Sequence, residues 1–155
     1  MTEYQDLLLA AFEGERFGEA FFETMAAAEP DPVRRDTLRM LQTIEARTAQ
    51  VLEPLARESG IPIGIGDESR RTGRELGTGA AAAGWDTFTK GLNDALPDFL
   101  ASFVRCRELA PDPTHPALVA LVAHEQAIAT FASLECAGRG DLSRSPLQWY
   151  LETAS

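Results

Sequence analysis

Histidine and cysteine are scarce in this chain, with two of each in 155 residues. Two histidines cannot build a three-histidine zinc site or a histidine-rich di-iron site. Cys106 and Cys136 stand alone without CxxC spacing, so neither a redox motif nor a zinc framework is implied. Basic residues are also few. Lys and Arg number 14 against 24 Asp and Glu, a formal net charge of −10. That sign excludes a nucleic-acid binder that works by neutralising phosphates, and an anionic membrane surface would repel the chain. No stretch approaches the roughly 18 apolar residues of a membrane span. A secretory signal is absent from the start: Glu3 and Asp6 stand where a basic region belongs, and the apolar run 7–12 is cut by Glu13. A reducing, cytoplasmic setting is the resulting expectation. No segment alternates with period two, so no sheet is predicted.

What the chain has instead is helical periodicity. The first predicted helix covers residues 3–28, with Tyr4, Leu7, Leu8, Ala11, Gly18, Phe21, Phe22 and Met25 at steps of three and four. Two prolines in Glu29-Pro30-Asp31-Pro32 stop it, and Asp31 with Pro32 then starts the second, over 32–58. Pro54 lies inside that helix and is a possible kink; Gly60 closes it. The third covers 84–109 on the stripe Trp85, Phe88, Leu92, Leu96, Phe99, Phe103, Cys106, interrupted by Pro97. A proline-dense stop at 110–116 precedes the fourth, over 116–137. A short fifth helix is expected over 146–153, with Ser145 as N-cap; its Trp149, Tyr150 and Leu151 either fold back to cap the others or dock a partner.

Connection lengths select the topology. Short turns make the first and second helices antiparallel neighbours, and likewise the third and fourth. Residues 60–83 lie between the pairs, and 73–84 read as a flexible glycine-rich connector. A helix of about 26 residues is roughly 39 Å long. Some two dozen residues of extended chain can travel that distance outside a bundle. The expectation is one all-α domain, 1–155, of two hairpins joined by a long crossover. The two cysteines then fall on the order of 30 Å apart, too far for a disulfide. Both read as small buried hydrophobes.

Most acids, among them Glu3, Asp6, Glu23, Glu29, Glu53, Glu58, Asp94 and Asp98, fall off the apolar stripes or at helix ends and form a solvated face. Three do not. Glu15 falls between Ala11 and Phe22, Glu45 between Leu41 and Leu52, and Glu125 between Leu121 and Ile128, with His124 beside it. A carboxylate on a core stripe is costly unless paired, protonated or bound to a metal. Glu19 competes with Glu15 for the inward position.

On these residues the chain resembles the ferritin-like superfamily, in which each hairpin brings one Glu and one Glu-x-x-His to a two-metal site inside a four-helix bundle. Glu15 matches the lone Glu of the first hairpin, Glu45 the Glu of its second helix, and Glu125 that of the second hairpin. The pattern departs elsewhere: Thr48 and Ile128 stand where the histidines belong. Spacing puts the remaining Glu near position 95, which is Ala95. The resemblance therefore implies a ferritin-like bundle with an incomplete metal site.

Three readings of the cluster stay open. The acids are tied up by Thr48, His124, Tyr4, Arg16 or Arg47 and serve packing. Alternatively, Glu15, Glu45 and Glu125 hold one Fe or Mn ion with His124 as a fourth ligand, since oxygen-rich sites suit those metals. In the third, one acid points outward. His124 outside the second reading is a hydrogen-bonded core residue, and His115 is a helix cap or exposed. The run Gly60-x-x-x-Gly64-x-Gly66 lacks the strand and the Lys of a phosphate loop. No serine sits in a nucleophile elbow, and no Cys–His pair has a third member. The function classes are a non-enzymatic ferritin-like protein acting by binding or assembly, a carboxylate-ligated metal oxidoreductase, and a dimeric interaction module using Leu9, Phe12 and Phe17. The small-molecule ligand is unidentified at this stage.

Overall fold

The computed structural model describes residues 1–64 and 67–154. Ile65 and Gly66, inside the expected crossover and its glycine run, lie outside the described residues, as does Ser155. Six helices are present: α1 Glu3–Ala28, α2 Pro32–Glu58, α3 Glu68–Ala83, α4 Trp85–Leu109, α5 Pro116–Cys136 and α6 Arg144–Thr153. Among the described residues there is no strand.

Local chemistry sets the ends. Thr2 and Gln5 form a capping box at the start of α1, satisfying backbone N–H groups that the first turn leaves free. The Asp31 carboxylate accepts from the amides of Val33 and Arg34, and Pro32 supplies a first-turn residue that needs no amide partner. Gly60, at φ +75°, turns the chain out of α2. The His115 ring caps α5 by accepting from the amide of Ala117. Neither internal proline ends its helix. Pro54 and Pro97 are both exposed, on the solvent side of their helices.

Two apolar clusters give the helix directions. One gathers Leu8 from the start of α1, Leu52 from the end of α2, Phe103 from the end of α4 and Leu118 from the start of α5. The other gathers Phe22, Leu38, Phe88 and Phe131 from the opposite ends of the same helices. The order is up, down, down, up. α1 packs on α2 and α4, and α5 on α4 and α2, so the four make a ring.

The crossover is not a flexible connector. Residues 68–83 form α3, which runs alongside α1. Its glycines were read as breakers, but Gly73 and Gly77 are contact points one turn apart. A Cβ added at Gly77 would stand 2.8 Å from the carbonyl oxygen of Phe21, and one at Gly73 would strike the Phe17 carbonyl. Glycine is there because two helix backbones touch. α3 thereby covers the α1 flank that carries Phe17, while Phe12 is buried in the first cluster. Phe12 is thus enclosed, whereas Leu9 and Phe17 are partly buried.

Three further expectations change. α6 starts earlier, at Arg144 after Ser143, not at Pro146 after Ser145. Leu147 and Tyr150 anchor it in the second cluster, while Trp149 stays two-thirds exposed at 67%. Cys106 is buried, but Cys136, the last residue of α5, is exposed; both are free thiols. One helix, α5, is long and apolar enough to cross a membrane, with a mean hydropathy of 1.5 over its best window. Half of that window is buried here against neighbouring helices. The opening expectation of no such stretch missed it because His124 and Glu125 interrupt the run.

Candidate metal centre

The four singled-out residues meet at mid-height, between the two apolar clusters. Each comes from the middle of a long helix: Glu15 from α1, Glu45 from α2, His124 and Glu125 from α5. All four are buried, with residue exposures of 1%, 6%, 0% and 5% in that order. Glu15 is the inward residue; Glu19 is partly exposed and pairs with Arg70 at 3.1 Å.

His124 is the centre of the group. Its Nδ1 lies 2.5 Å from the Leu121 carbonyl oxygen. A carbonyl only accepts, so Nδ1 carries the proton and the ring is held in one orientation. Nε2 then faces the carboxylates: 3.0 Å from Glu15 Oε2, 3.3 Å from Glu125 Oε2 and 3.9 Å from Glu45 Oε1. These approaches do not make hydrogen bonds. Glu15 Oε2 and His124 Nε2 are both buried polar atoms without a partner. Phe103 stacks on the imidazole, ring centres 5.8 Å apart, and closes its outer face.

Among the described residues, no Lys or Arg pairs with the acids of the cluster. Arg16 bridges to Asp67 at 2.9 Å and Arg47 reaches the Leu151 carbonyl. The Thr48 hydroxyl donates to the Ile44 carbonyl, and the Tyr4 hydroxyl lies by Ser59. Of the partners expected from sequence, only His124 touches the acids. The electrostatic result follows. Burial pushes the Glu15 and Glu45 carboxyls well above the usual carboxylate range, helped by the charges of Glu125 on Glu15 and of Glu15 on Glu45. Burial raises Glu125 to about 7, with His124 pulling it down and Glu45 pushing it up. Three carboxylates cannot all ionise here without a cation or protons.

Glu15, Glu45 and His124 each offer a ligand atom within 4.8 Å of the others, close enough to hold one metal ion. The first helix is shaped for this. Gly18 of α1 faces Glu45, and an added Cβ would overlap its carboxyl, standing only 2.7 Å from Cδ. Gly18 read as a plain stripe residue in the sequence; its Glu45 contact links two helices and is invisible to single-helix periodicity. No protein-family model, no curated protein and no solved structure matches the chain.

α4 brings no ligand. Ala95, where spacing placed one, is exposed, and Asp94 pairs with Lys90 at 2.7 Å. A cavity of about 370 Å³ lies there instead, between α1 and α4 beneath the end of α3. Glu15, Glu45 and Glu125 stand at its inner end. Sequence reasoning missed this cavity. Its signal was the small residues Gly14, Gly18, Gly91 and Ala95 on two facing helices.

Proposed function

We propose that the protein is a ferritin-like helical bundle that binds a single Fe(II) or Mn(II) ion through Glu15, Glu45 and His124, with Glu125 alongside. The observation that carries this reading is the His124 imidazole. Its Nδ1 is committed to the Leu121 carbonyl, so its buried Nε2 is oriented toward carboxylate oxygens on two other helices without a hydrogen-bond partner. A backbone carbonyl on the distal nitrogen is the usual support of a ligating histidine. The up, down, down, up order supports the ferritin-like part of the reading. Oxygen-rich ligation with one imidazole suits Mn or Fe(II) better than softer metals.

When bound, the ion supplies positive charge to the three acids and a centre for electron transfer. The chain's own part is to hold it. Glu15 and Glu45 supply carboxylate oxygens, Leu121 fixes the imidazole, and Gly18 leaves room for Glu45. Glu125 Oε2 stands 3.3 Å from the His124 Nε2, so its carboxyl is placed to hold or release a proton beside the site. This is the feature that favours the second reading, a metal oxidoreductase. A metal-free packing role is the remaining alternative, supported by the hydrogen-bonding reach between the Glu15 and Glu45 carboxyls.

Metal analysis of untagged protein tests the proposal. One equivalent of Fe or Mn per chain is expected, with a rise in Tm on adding either ion to chelated protein. Both effects disappear in Glu45→Gln. No stoichiometric metal and no thermal response to either ion would refute it.

A further inference from the structure

The cavity above the carboxylates is larger than a metal ion needs. An engineered apolar cavity of about 150 Å³ already takes benzene. At about 370 Å³ this one has room for roughly twice that or more. Its walls are hydrocarbon. Phe17, Phe21, Phe22, Phe88, Phe99 and Phe103 all line it, and no Lys or Arg does. Phe21, Phe22 and Phe88 form a connected aromatic wall, with ring centres 5.4 to 6.2 Å apart. The floor is buried at Phe22, Phe103 and Ile128, so the space reaches the middle of the bundle. The mouth is exposed at Gly14, Gly91 and Ala95.

Small residues stand at the mouth. Gly14 and Gly91 sit inside long helices, where glycine costs about 1 kcal/mol relative to alanine. Neither has a backbone angle that requires glycine. Neither is pressed by a neighbour, since an added Cβ would find nothing within 4 Å. Gly73 and Gly77, by contrast, are forced by helix contact. With Ala95, Gly14 and Gly91 leave the mouth free of bulky side chains.

We infer that the cavity is a binding site for a neutral, hydrocarbon-rich small molecule of about ten to fifteen non-hydrogen atoms, seated between α1 and α4 with its inner end beside Glu15, Glu45 and Glu125. An anionic ligand lacks any basic partner among the lining residues and faces three acids. A flat protein surface cannot fill a space that reaches the buried centre. The site adjoins the proposed metal but its walls do not depend on it, so the inference goes beyond that reading and can be tested apart from it.

The test uses naphthalene as the neutral probe, 2-naphthoate as its anionic counterpart and 2-naphthylmethylamine as its cationic one. Each is added to chelated and to metal-loaded full-length protein, with Tm and fluorescence titration as readouts. Naphthalene is expected to raise Tm by about 2 °C or more in both forms. Naphthoate should bind at least tenfold more weakly. Gly91→Leu and Ala95→Leu project side chains into the mouth and should each cut naphthalene affinity at least tenfold. Helical circular dichroism checks the fold of both variants, and metal uptake should persist in them. Loss of metal binding with naphthalene binding intact counts against the metal proposal alone. The cavity inference is overturned if no form binds naphthalene, if only the amine binds, or if both mouth variants fold and bind naphthalene as before. It is also overturned if light scattering shows a dimer that Phe99→Ser dissociates and no probe binds, which would make the mouth a contact between copies of the chain.

Discussion

Stability of the metal-free protein should fall as pH rises from 5 to 8, against the usual trend for carboxylates held in ion pairs. The cause is Glu125. Unfolded, its carboxyl ionises near 4.5, as an ordinary glutamate does; folded, at about 7. As pH rises, the unfolded chain gives up this proton first, so ionisation favours unfolding. The stabilising contribution is complete below pH 4.5 and is lost through pH 7. Each pH unit of difference is worth about 1.4 kcal/mol, so the shift of Glu125 amounts to roughly 3 kcal/mol, most of it lost between pH 5 and 8. Glu15 and Glu45 are shifted in the same direction and add to the slope. Asp31 and Asp112, whose carboxyls are lowered by hydrogen bonds to neighbouring groups, act with the opposite sign only in the acid range below this window. The assay is urea denaturation with a chelator present at pH 5, 6, 7 and 8. The wild type should lose stability over that range, and Glu125→Gln, which keeps the volume and cannot ionise, should flatten the profile by about the amount stated. Saturating Mn(II) should reverse the slope, because the ion needs the carboxylates deprotonated. Stability that stays flat or rises with pH in the chelated protein would refute the reasoning.

Other outcomes follow from single contacts. Gly18→Ala should cut metal affinity at least tenfold by displacing the Glu45 carboxyl, and should cost about 1–3 kcal/mol rather than the gain expected of an unhindered helical Gly→Ala change; metal titration and denaturation read the two effects. Gly77→Leu should lift α3 from α1, since the new side chain meets the Phe21 backbone; faster amide exchange confined to residues 68–83 is the readout. Leu147→Ala should cost about 2–5 kcal/mol, because Leu147 is fully buried and is the main anchor of α6; a smaller loss in thermal or urea unfolding would show that α6 contributes little to the core.

The long helices were legible because each carries its own stop: two prolines between α1 and α2, the proline run before α5, and Gly60 and Gly138 at positive φ. The buried acids were legible for the same kind of reason. Glu15, Glu45 and Glu125 break an apolar stripe on their own helices, and no partner is needed to see it. α3 was not legible. Its glycines look like flexible chain when taken alone, and only the carbonyls of Phe17 and Phe21 across the contact give them a packing reason. The role of Gly18 was hidden for the same reason, because its partner is on α2. The extrapolation to position 95 failed because it assumed that α4 repeats the spacing of α1. At the height of the cluster α4 presents Phe103, stacked on His124, and Ala95 opens on the cavity mouth.

These last two facts have one physical consequence. A fourth carboxylate from α4 would complete the pattern of two hairpins, but it would add a fourth buried negative charge to a cluster with a single histidine. With aromatic and small residues on α4, the cluster stays within the charge that one divalent ion and one proton can balance. Three carboxylates carry −3; a bound ion of charge +2 would leave one negative charge for a single proton to balance. The space beside the cluster would then adjoin a neutral centre, in keeping with hydrocarbon walls that have no basic residue among them. The incomplete ligand set and the apolar cavity are thus two aspects of one arrangement.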